Sequence, residues 1–179
     1  MPISRFLSPH AENHVATLTR EISTTHSLDQ ALSTALDAAM ALLLADFGDI
    51  QLYRAGVLTI TVQRGFPPSF LERFHRVAAD DDCACGRAMR DGRATIISDV
   101  FLDSDSPADY RDIAAESGFR AVQSTPLVTT SGLFIGMLST HFREPHTPSD
   151  EEMTMLGLYA TAVADTIQRF VAQNMLTSV

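Results

Sequence analysis

The spacing of apolar residues changes along the chain, and each change marks a predicted element. Between Glu12 and Leu44 apolar residues recur mostly three or four positions apart, which is the period of a helix with one buried face. Polar residues 23–25 interrupt this pattern, so we predict two helices rather than one. Ser27 or Asp29 would cap the second helix, because a short polar side chain can accept from the free N–H groups of a first helical turn.

The middle of the chain follows the period of two that strands require. Residues Ile50 to Val62 predict a hairpin of two strands that turns at Ala55-Gly56. We then expect a helix from Ser69 to about Val77. The remaining elements before residue 143 are a short helix at 85–90, a brief strand at 94–98, one or two helical turns at 108–116, and the two longest strands at 119–128 and 133–142.

A capping box begins the last predicted helix. Ser149 and Glu152 stand three residues apart, so each side chain can satisfy a free backbone N–H near the other residue. One face of this helix then carries apolar residues spaced four and three apart, which suits packing on the sheet or pairing with a second copy of the chain. We expect a homodimer through this face and the first helix; the residues are Leu156, Ala160, Val163, Ile167 and Phe170.

The order of elements predicts an α+β fold. Hairpin-linked strands dominate between helical ends, which favours a five- or six-stranded, mainly antiparallel sheet with helices packed on both faces. We divide the chain into an N-terminal helix at 1–27, with a role in dimerisation, and one domain at 28–179 that includes the long C-terminal helix.

Acidic residues outnumber basic ones and narrow the classes of partner. The chain has 22 Asp and Glu against 13 basic residues, all of them Arg, for a net charge of −9. This charge disfavours phosphate-rich surfaces, so we expect neither nucleic acid nor an anionic membrane as a partner. The absence of Lys excludes a Walker-type phosphate loop and a Schiff-base lysine. With no recognisable signal peptide and only two cysteines, the sequence predicts a cytoplasmic protein.

Two segments in the second half of the chain carry a family resemblance. Residues 118–127 (Gly-Phe-Arg-Ala-Val-Gln-Ser-Thr-Pro-Leu) and 132–142 (Gly-Leu-Phe-Ile-Gly-Met-Leu-Ser-Thr-His-Phe) resemble the last strands of a GAF domain. Residues 145–149 and the helix after them resemble its closing segment, and residues 85–88 stand where the family has its pocket helix. Over about residues 28–170 the chain is similar to the GAF domains found upstream of bacterial sensor histidine kinases.

The resemblance implies a GAF/PAS-like fold with a ligand between the sheet and the loops at 80–118. It also implies signalling through the terminal helices. The chain lacks the Asn-Lys-Phe-Asp-Glu signature of cyclic-nucleotide-binding members, the Cys-His pair that attaches a bilin, and the well-separated cysteines of free methionine sulfoxide reductases. The cofactor therefore stays unknown. Acids at 80–82 and 99–112 flank the implied pocket mouth and favour a cationic or neutral ligand.

Eight residues of the implied pocket wall are our candidate ligand contacts. On the strand at 119–128, alternation sends Arg120 and Ser124 to one face and Gln123 and Thr125 to the other, and one of these pairs must face a ligand. We predict neither a metal site nor a catalytic set. The candidates are Cys85, Asp99, Phe119, Arg120, Gln123, Thr125, Ser139 and His141.

We therefore expect a stand-alone sensory or regulatory domain with no catalysis of its own. It would bind an unknown small molecule and act on a histidine kinase or another signalling protein. The alternative is a small cysteine-based redox enzyme or redox sensor of the same fold, using Cys83 or Cys85. This alternative is less favoured, because the acids before these cysteines should raise the thiol pKa. A third hypothesis is an interaction module with a filled core.

Overall fold

A computed structural model describes the backbone of residues 7–177 and the side chains of residues 7–173. Helices and strands alternate in an order close to the predicted one. In chain order they are α1 (Pro9–Ser23), α2 (Leu28–Leu43), β1 (Phe47–Arg54), β2 (Val57–Arg64), α3 (Pro68–Arg73), β3 (Arg76–Ala78), α4 (Ala84–Asp91), β4 (Thr95–Ile97), α5 (Ala108–Ser117), β5 (Ala121–Val128), β6 (Phe134–Phe142) and α6 (Asp150–Thr177).

Local side-chain chemistry sets where the helices begin. Ser8 and Ser27 precede α1 and α2, and each hydroxyl accepts a hydrogen bond from a backbone N–H three residues on. The capping box before α6 is confirmed, because Glu152 Oε2 accepts from Ser149 N at 2.7 Å while Ser149 Oγ accepts from Glu152 N at 3.2 Å. The two-helix prediction for the N-terminal third is confirmed as well.

The six strands form one antiparallel sheet in the order β3-β2-β1-β6-β5-β4. Helices α1, α2 and α6 pack on one face, and α3, α4 and α5 cover the other. The predicted α+β architecture is therefore confirmed, with six strands. Within this order β1 and β6 are central, so both of their faces are buried under helices.

The predicted helix from Ser69 to Val77 is wrong in its second half. Helix α3 ends at Arg73, and the chain turns into the three-residue edge strand β3. Val77 pairs with Leu58 of β2 and both side chains are fully buried. A helix that continued through Val77 could not pair with β2. The strand does pair with β2, and this pairing buries Val77.

The apolar face of α6 lies inside the protomer. Leu156, Ala160, Val163 and Ile167 are at most 1% exposed and pack with Leu18, Ile22 and α2 in one core cluster. The prediction that this face pairs with a second copy is therefore wrong, because the chain itself covers it. Homodimerisation as such stays a prediction.

None of the helices in the described part of the chain has the length and apolarity needed to cross a membrane. The 28-residue helix α6 begins with three acidic residues and carries polar side chains along its exposed side.

Candidate functional site

A small cavity lies between the sheet and the helices α3, α4 and α5. Its volume is about 10 Å³, the room taken by about one water molecule. Strands β1, β5 and β6 form its floor. Its walls are α4, Phe70 of α3, Phe74 directly after α3, and Tyr110 of α5. The lining residues are Asp49, Gln51, Phe70, Phe74, Cys83, Ala84, Cys85, Tyr110, Val122 and His141.

A row of polar side chains crosses the sheet at this cavity. The strand register places Asp49 opposite Ser139, and Ser139 opposite Ser124, so three neighbouring strands each present one polar residue to the same face. Their chain neighbours Ile50 and Leu138 point to the other face and join the core under α2 and α6. All three polar side chains are at most 1% exposed.

The two serines are linked to a cysteine of α4. Cys85 Sγ lies 3.3 Å from Ser124 Oγ and 3.2 Å from Ser139 Oγ, and the two hydroxyl oxygens are 2.9 Å apart. Each of these groups can both donate and accept, so the triangle can use all three of its own protons.

The carboxylate of Asp49 has no such partner. Within the described residues, neither Asp49 Oδ1 nor Oδ2 has a hydrogen bond, and Gln51 Oε1 and His141 Nδ1 also lack one. Burial raises the pKa of Asp49 to about 8 and lowers the pKa of His141 to about 3. At neutral pH the cavity therefore holds a largely protonated Asp49 and a neutral imidazole.

Aromatic rings hold His141 in place. The edges and faces of Phe66, Phe70 and Phe119 meet the imidazole ring at centroid distances of 4.8, 5.6 and 4.7 Å. This apolar surround explains why the imidazole is neutral, because a cation would be desolvated there.

Both thiols are buried in surroundings that disfavour the thiolate. Burial raises the pKa of Cys83 to about 11, and burial followed by the nearby Cys83 and Asp49 raises the pKa of Cys85. Across the described residues, no group of three or more His, Cys, Asp and Glu side chains is placed to hold a metal ion.

Asp99 and Arg120 form an ion pair outside the cavity lining. Asp99 is 8% exposed and accepts from Phe101 N at 3.0 Å and from Arg120 Nη2. The guanidinium of Arg120 also lies over the ring of Phe101, 5.7 Å from its centroid. These contacts tie the segment after β4 to the start of β5.

Gln123 and Thr125 lie on the opposite face of the sheet from the cavity. The amide Nε2 of Gln123 lies 3.5 Å from Thr125 Oγ1 and 3.3 Å from Met153 Sδ of α6. Of the two predicted faces of β5, the face of Ser124 is the one that points toward the cavity. The roles of Gln123 and Thr125 as ligand contacts stay predictions that this placement does not support.

The structure thus brings together only part of the predicted set. Cys85 and His141 line the cavity, Ser139 is bonded to Cys85, and Phe119 backs His141. Two polar residues of β1 and three aromatic wall residues were not among the candidates predicted from the sequence. These residues are Asp49, Gln51, Phe70, Phe74 and Tyr110.

A wider groove continues along the same sheet face. Its volume is about 310 Å³, and Met89 of α4 and Gly92, the residue after α4, form one side of it. Pro126 lines this groove and pairs with Met137, which in turn pairs with Gln51 of the cavity. Gln51 and Met137 therefore separate the two hollows. The groove is lined by Tyr53, Ala88, Met89, Gly92, Pro126, Val128 and Phe134.

Comparisons with known proteins agree with this architecture. The family model described as "GAF domain" matches residues 25–168. A search of curated proteins finds no match for the chain. The fold is similar to a domain of a putative two-component sensor histidine kinase from Sinorhizobium meliloti, with 21% identity and a TM-score of 0.71, covering 87% of this chain and 100% of that one.

Two further solved structures are similar at lower identity. The GAF domain of a phosphoenolpyruvate-protein phosphotransferase from Coxiella burnetii has 16% identity and a TM-score of 0.77, with 92% of this chain and 96% of that one covered. A free methionine-R-sulfoxide reductase from Neisseria meningitidis, solved with its substrate, has 16% identity and a TM-score of 0.72, with 93% and 95% covered. At such identities the likeness shows the fold.

Proposed function

Because the chain belongs to the GAF domain family, we propose that it is a sensory domain that binds a small ligand at the cavity beside Asp49. The observation that carries this proposal is the set of buried polar atoms at the cavity that have no hydrogen-bond partner among the described residues. A buried unpartnered polar group costs about 1–3 kcal/mol, so a cavity with several of them favours an occupant that satisfies them.

The position of the cavity supports a signalling role. Strands β1, β5 and β6 carry the cavity residues on one face and pack against α2 and α6 on the other. A ligand that shifts these strands would displace the two helices directly, since close-packed layers transmit strain. We propose that a histidine kinase or another signalling protein receives this displacement through the terminal helices.

We propose that the domain has no catalysis of its own. The raised pKa values of both thiols support this, because a nucleophilic or redox-active cysteine needs an accessible thiolate. Buried free thiols at Cys83 and Cys85 also suit a reducing compartment, and we place the domain in the cytoplasm.

The proposal includes a homodimer built on an exposed apolar groove beside the end of α6. Leu133 and Val171 are 51% and 38% exposed, and with Tyr53 they border a hollow of about 610 Å³. A second copy would cover these side chains. Sedimentation velocity should show a dimer for the wild type and a monomer for Val171→Asp, whereas the exposed Asp112→Asn should stay dimeric. A wild-type monomer at all concentrations would refute the dimer.

A thermal-shift screen of small metabolites tests the ligand-binding proposal. Compounds that raise the melting temperature of the wild type should lose this effect in Ala84→Leu, because the larger side chain fills the cavity. The same substitution at the exposed Ala108 on α5 is the matched control and should retain the effect. Circular dichroism would confirm that both variants fold.

Two results would contradict the proposal. One is a wild type that no compound stabilises. The other is a set of hits that a folded Ala84→Leu variant binds as well as the Ala108→Leu control does.

A further inference from the structure

The cavity presents hydrogen-bond acceptors that receive no donor. Asp49 Oδ1, Asp49 Oδ2 and Gln51 Oε1 are buried and unpartnered among the described residues. Once Asp49 has lost its proton, its carboxylate can only accept, as the amide oxygen of Gln51 does. An occupant that satisfies these oxygens must then supply N–H or O–H groups.

The neighbouring side chains do not supply those donors. The hydroxyls of Ser124 and Ser139 bond to each other at 2.9 Å and to the thiol of Cys85 at 3.2 to 3.3 Å. None of these contacts reaches Asp49. The two hydroxyls and the thiol are therefore engaged within their own triangle.

The cavity also lacks a positive charge. Its titratable side chains come from four of the elements around it: Asp49 from β1, His141 from β6, Tyr110 from α5, and Cys83 and Cys85 at the start of α4. Four of these five groups are acids that are neutral or negative, and burial keeps His141 neutral. The cations Arg73 and Arg87 act on Cys83 and Tyr110 from outside the lining. An anionic ligand would find no counter-charge on the lining, whereas a cation would find Asp49.

Aromatic rings complete the walls. Phe70 and Phe74 lie with ring centroids 4.7 Å apart, and Tyr110 meets Phe74 edge-on at 5.8 Å. All three rings line the cavity. Aromatic faces attract cations, with the strongest effect where water is excluded.

From the missing donors, the missing positive charge and the aromatic walls, we propose that the cavity recognises the primary ammonium group of a small ligand, with Asp49 as its counter-ion. A primary ammonium has three N–H donors, which equals the number of unpartnered oxygens on Asp49 and Gln51. This inference rests on the proposed ligand-binding function and specifies the ligand's chemical class.

The two hollows differ in size and would hold different parts of such a ligand. The 10 Å³ cavity suits a head group of about the size of water, and the 310 Å³ groove beyond Gln51 and Met137 is lined mainly by apolar side chains. An apolar body in that groove with an ammonium head in the cavity would use both hollows. Met137 is a flexible side chain and would move to join them.

Methylammonium chloride is the probe for this inference. Potassium chloride and tetramethylammonium chloride at matched ionic strength supply positive charge without N–H donors. Binding of the cation displaces the proton of Asp49 to solvent, so the affinity for methylammonium should fall about tenfold for each pH unit below pH 8. Carbon-13 NMR of labelled aspartate should show methylammonium lowering the pKa of Asp49, while the two control salts leave it unchanged.

Asp49→Asn provides the second measurement. It removes the charge at nearly constant volume and should weaken methylammonium binding at pH 8 at least tenfold, whereas Asp112→Asn should not. The NMR titration uses the wild type and so does not depend on the variant's folding.

The outcomes separate this inference from the function it rests on. If methylammonium leaves the Asp49 pKa unchanged while the metabolite screen finds neutral or anionic ligands of the cavity, the ammonium inference is overturned and the ligand-binding proposal stands. If methylammonium and the whole screen are both without effect, both fail. A response to all three salts alike would show a general salt effect and would also overturn the inference.

Discussion

Replacing Asp49 with Asn should make the domain more stable when no ligand is added, and increasingly so as the pH rises. Asp49 is fully buried, its pKa is raised from 3.8 to about 8 by loss of hydration, and neither oxygen has a partner among the described residues. At a pH between 3.8 and about 8, the folded protein retains a proton on Asp49 that the unfolded chain has lost. The unfolded state therefore binds fewer protons, and stability falls as the pH rises.

The magnitude follows from the difference between the two pKa values. At about 1.36 kcal/mol for each pKa unit, the interval from 3.8 to about 8 corresponds to about 6 kcal/mol of stability lost by pH 8. Asn does not ionise, so the variant avoids this loss. The variant should match the wild type to within about 1 kcal/mol near pH 4 and gain on it by about 1.36 kcal/mol per pH unit up to about pH 8.

His141 masks this effect in the wild type at lower pH. Its pKa is lowered from 6.5 to about 3, so stability falls on acidification through that range, opposite in sign to the Asp49 contribution. The contributions of Asp49 and His141 to the change of stability with pH cancel between about pH 4 and 6.5. Above pH 6.5 His141 is neutral in both states, and the wild type should lose about 2 kcal/mol between pH 6.5 and 8.

Urea denaturation followed by circular dichroism, from pH 4 to pH 8, measures these free energies. Asp112→Asn removes the same charge from an exposed position and is the matched control, which should not reproduce this gain. An Asp49→Asn difference that does not change with pH, or a variant that becomes relatively less stable as the pH rises, would refute this prediction.

Three smaller predictions concern other parts of the chain. Both thiols should resist alkylation in the folded protein and react only after denaturation, because both are buried and burial raises the pKa of Cys83 to about 11. Mass spectrometry would count the labels, and rapid labelling of the native protein would contradict this prediction. Gly136→Ala should unfold the domain or destabilise it by several kcal/mol in thermal melts, because the added Cβ would lie 2.0 Å from a carbonyl oxygen of β1. Its control, Gly157→Ala on the exposed side of α6, should stabilise the domain by about 0.5–1 kcal/mol. Arg120→Gln should destabilise the domain by about 1–3 kcal/mol in urea, because Asp99 loses its charged partner while remaining 8% exposed; an unchanged midpoint would mean that the pair is solvated.

The long elements were predictable because their sequence period is repeated several times. Helix α2 and strands β5 and β6 span 16, 8 and 9 residues, enough for their apolar spacing to distinguish 3.6 from 2. The three-residue strand β3 is too short to show any period. Its central residue Val77 fits the end of a helix as well as an edge strand, and only pairing with β2 decides between them.

The site was harder to predict, because sheet order is not written in local spacing. Cys85 and His141 were found through the family resemblance, but Asp49 and Gln51 were not. Ile50 and Leu52 alternate with them, and this pattern ordinarily puts the polar residues in water. Strand β1 lies between β2 and β6, so α3 to α5 bury that second face. An acid on a central strand becomes unusual only once the order of strands is known.

The same central position places the cavity directly across the sheet from α2 and α6. Asp49 faces the cavity while its neighbour Ile50 packs in the core of α2 and α6, and Ser139 and Leu138 repeat this arrangement on β6. The two residues of each pair share one backbone, so a ligand that moves Asp49 by pulling on its carboxylate also moves the strand segment beneath α2 and α6. Loss of the Asp49 proton changes the charge at the cavity by one unit. A cation that causes this loss would therefore act on the strands that support the terminal helices, and this supports the proposed route from ligand to signal.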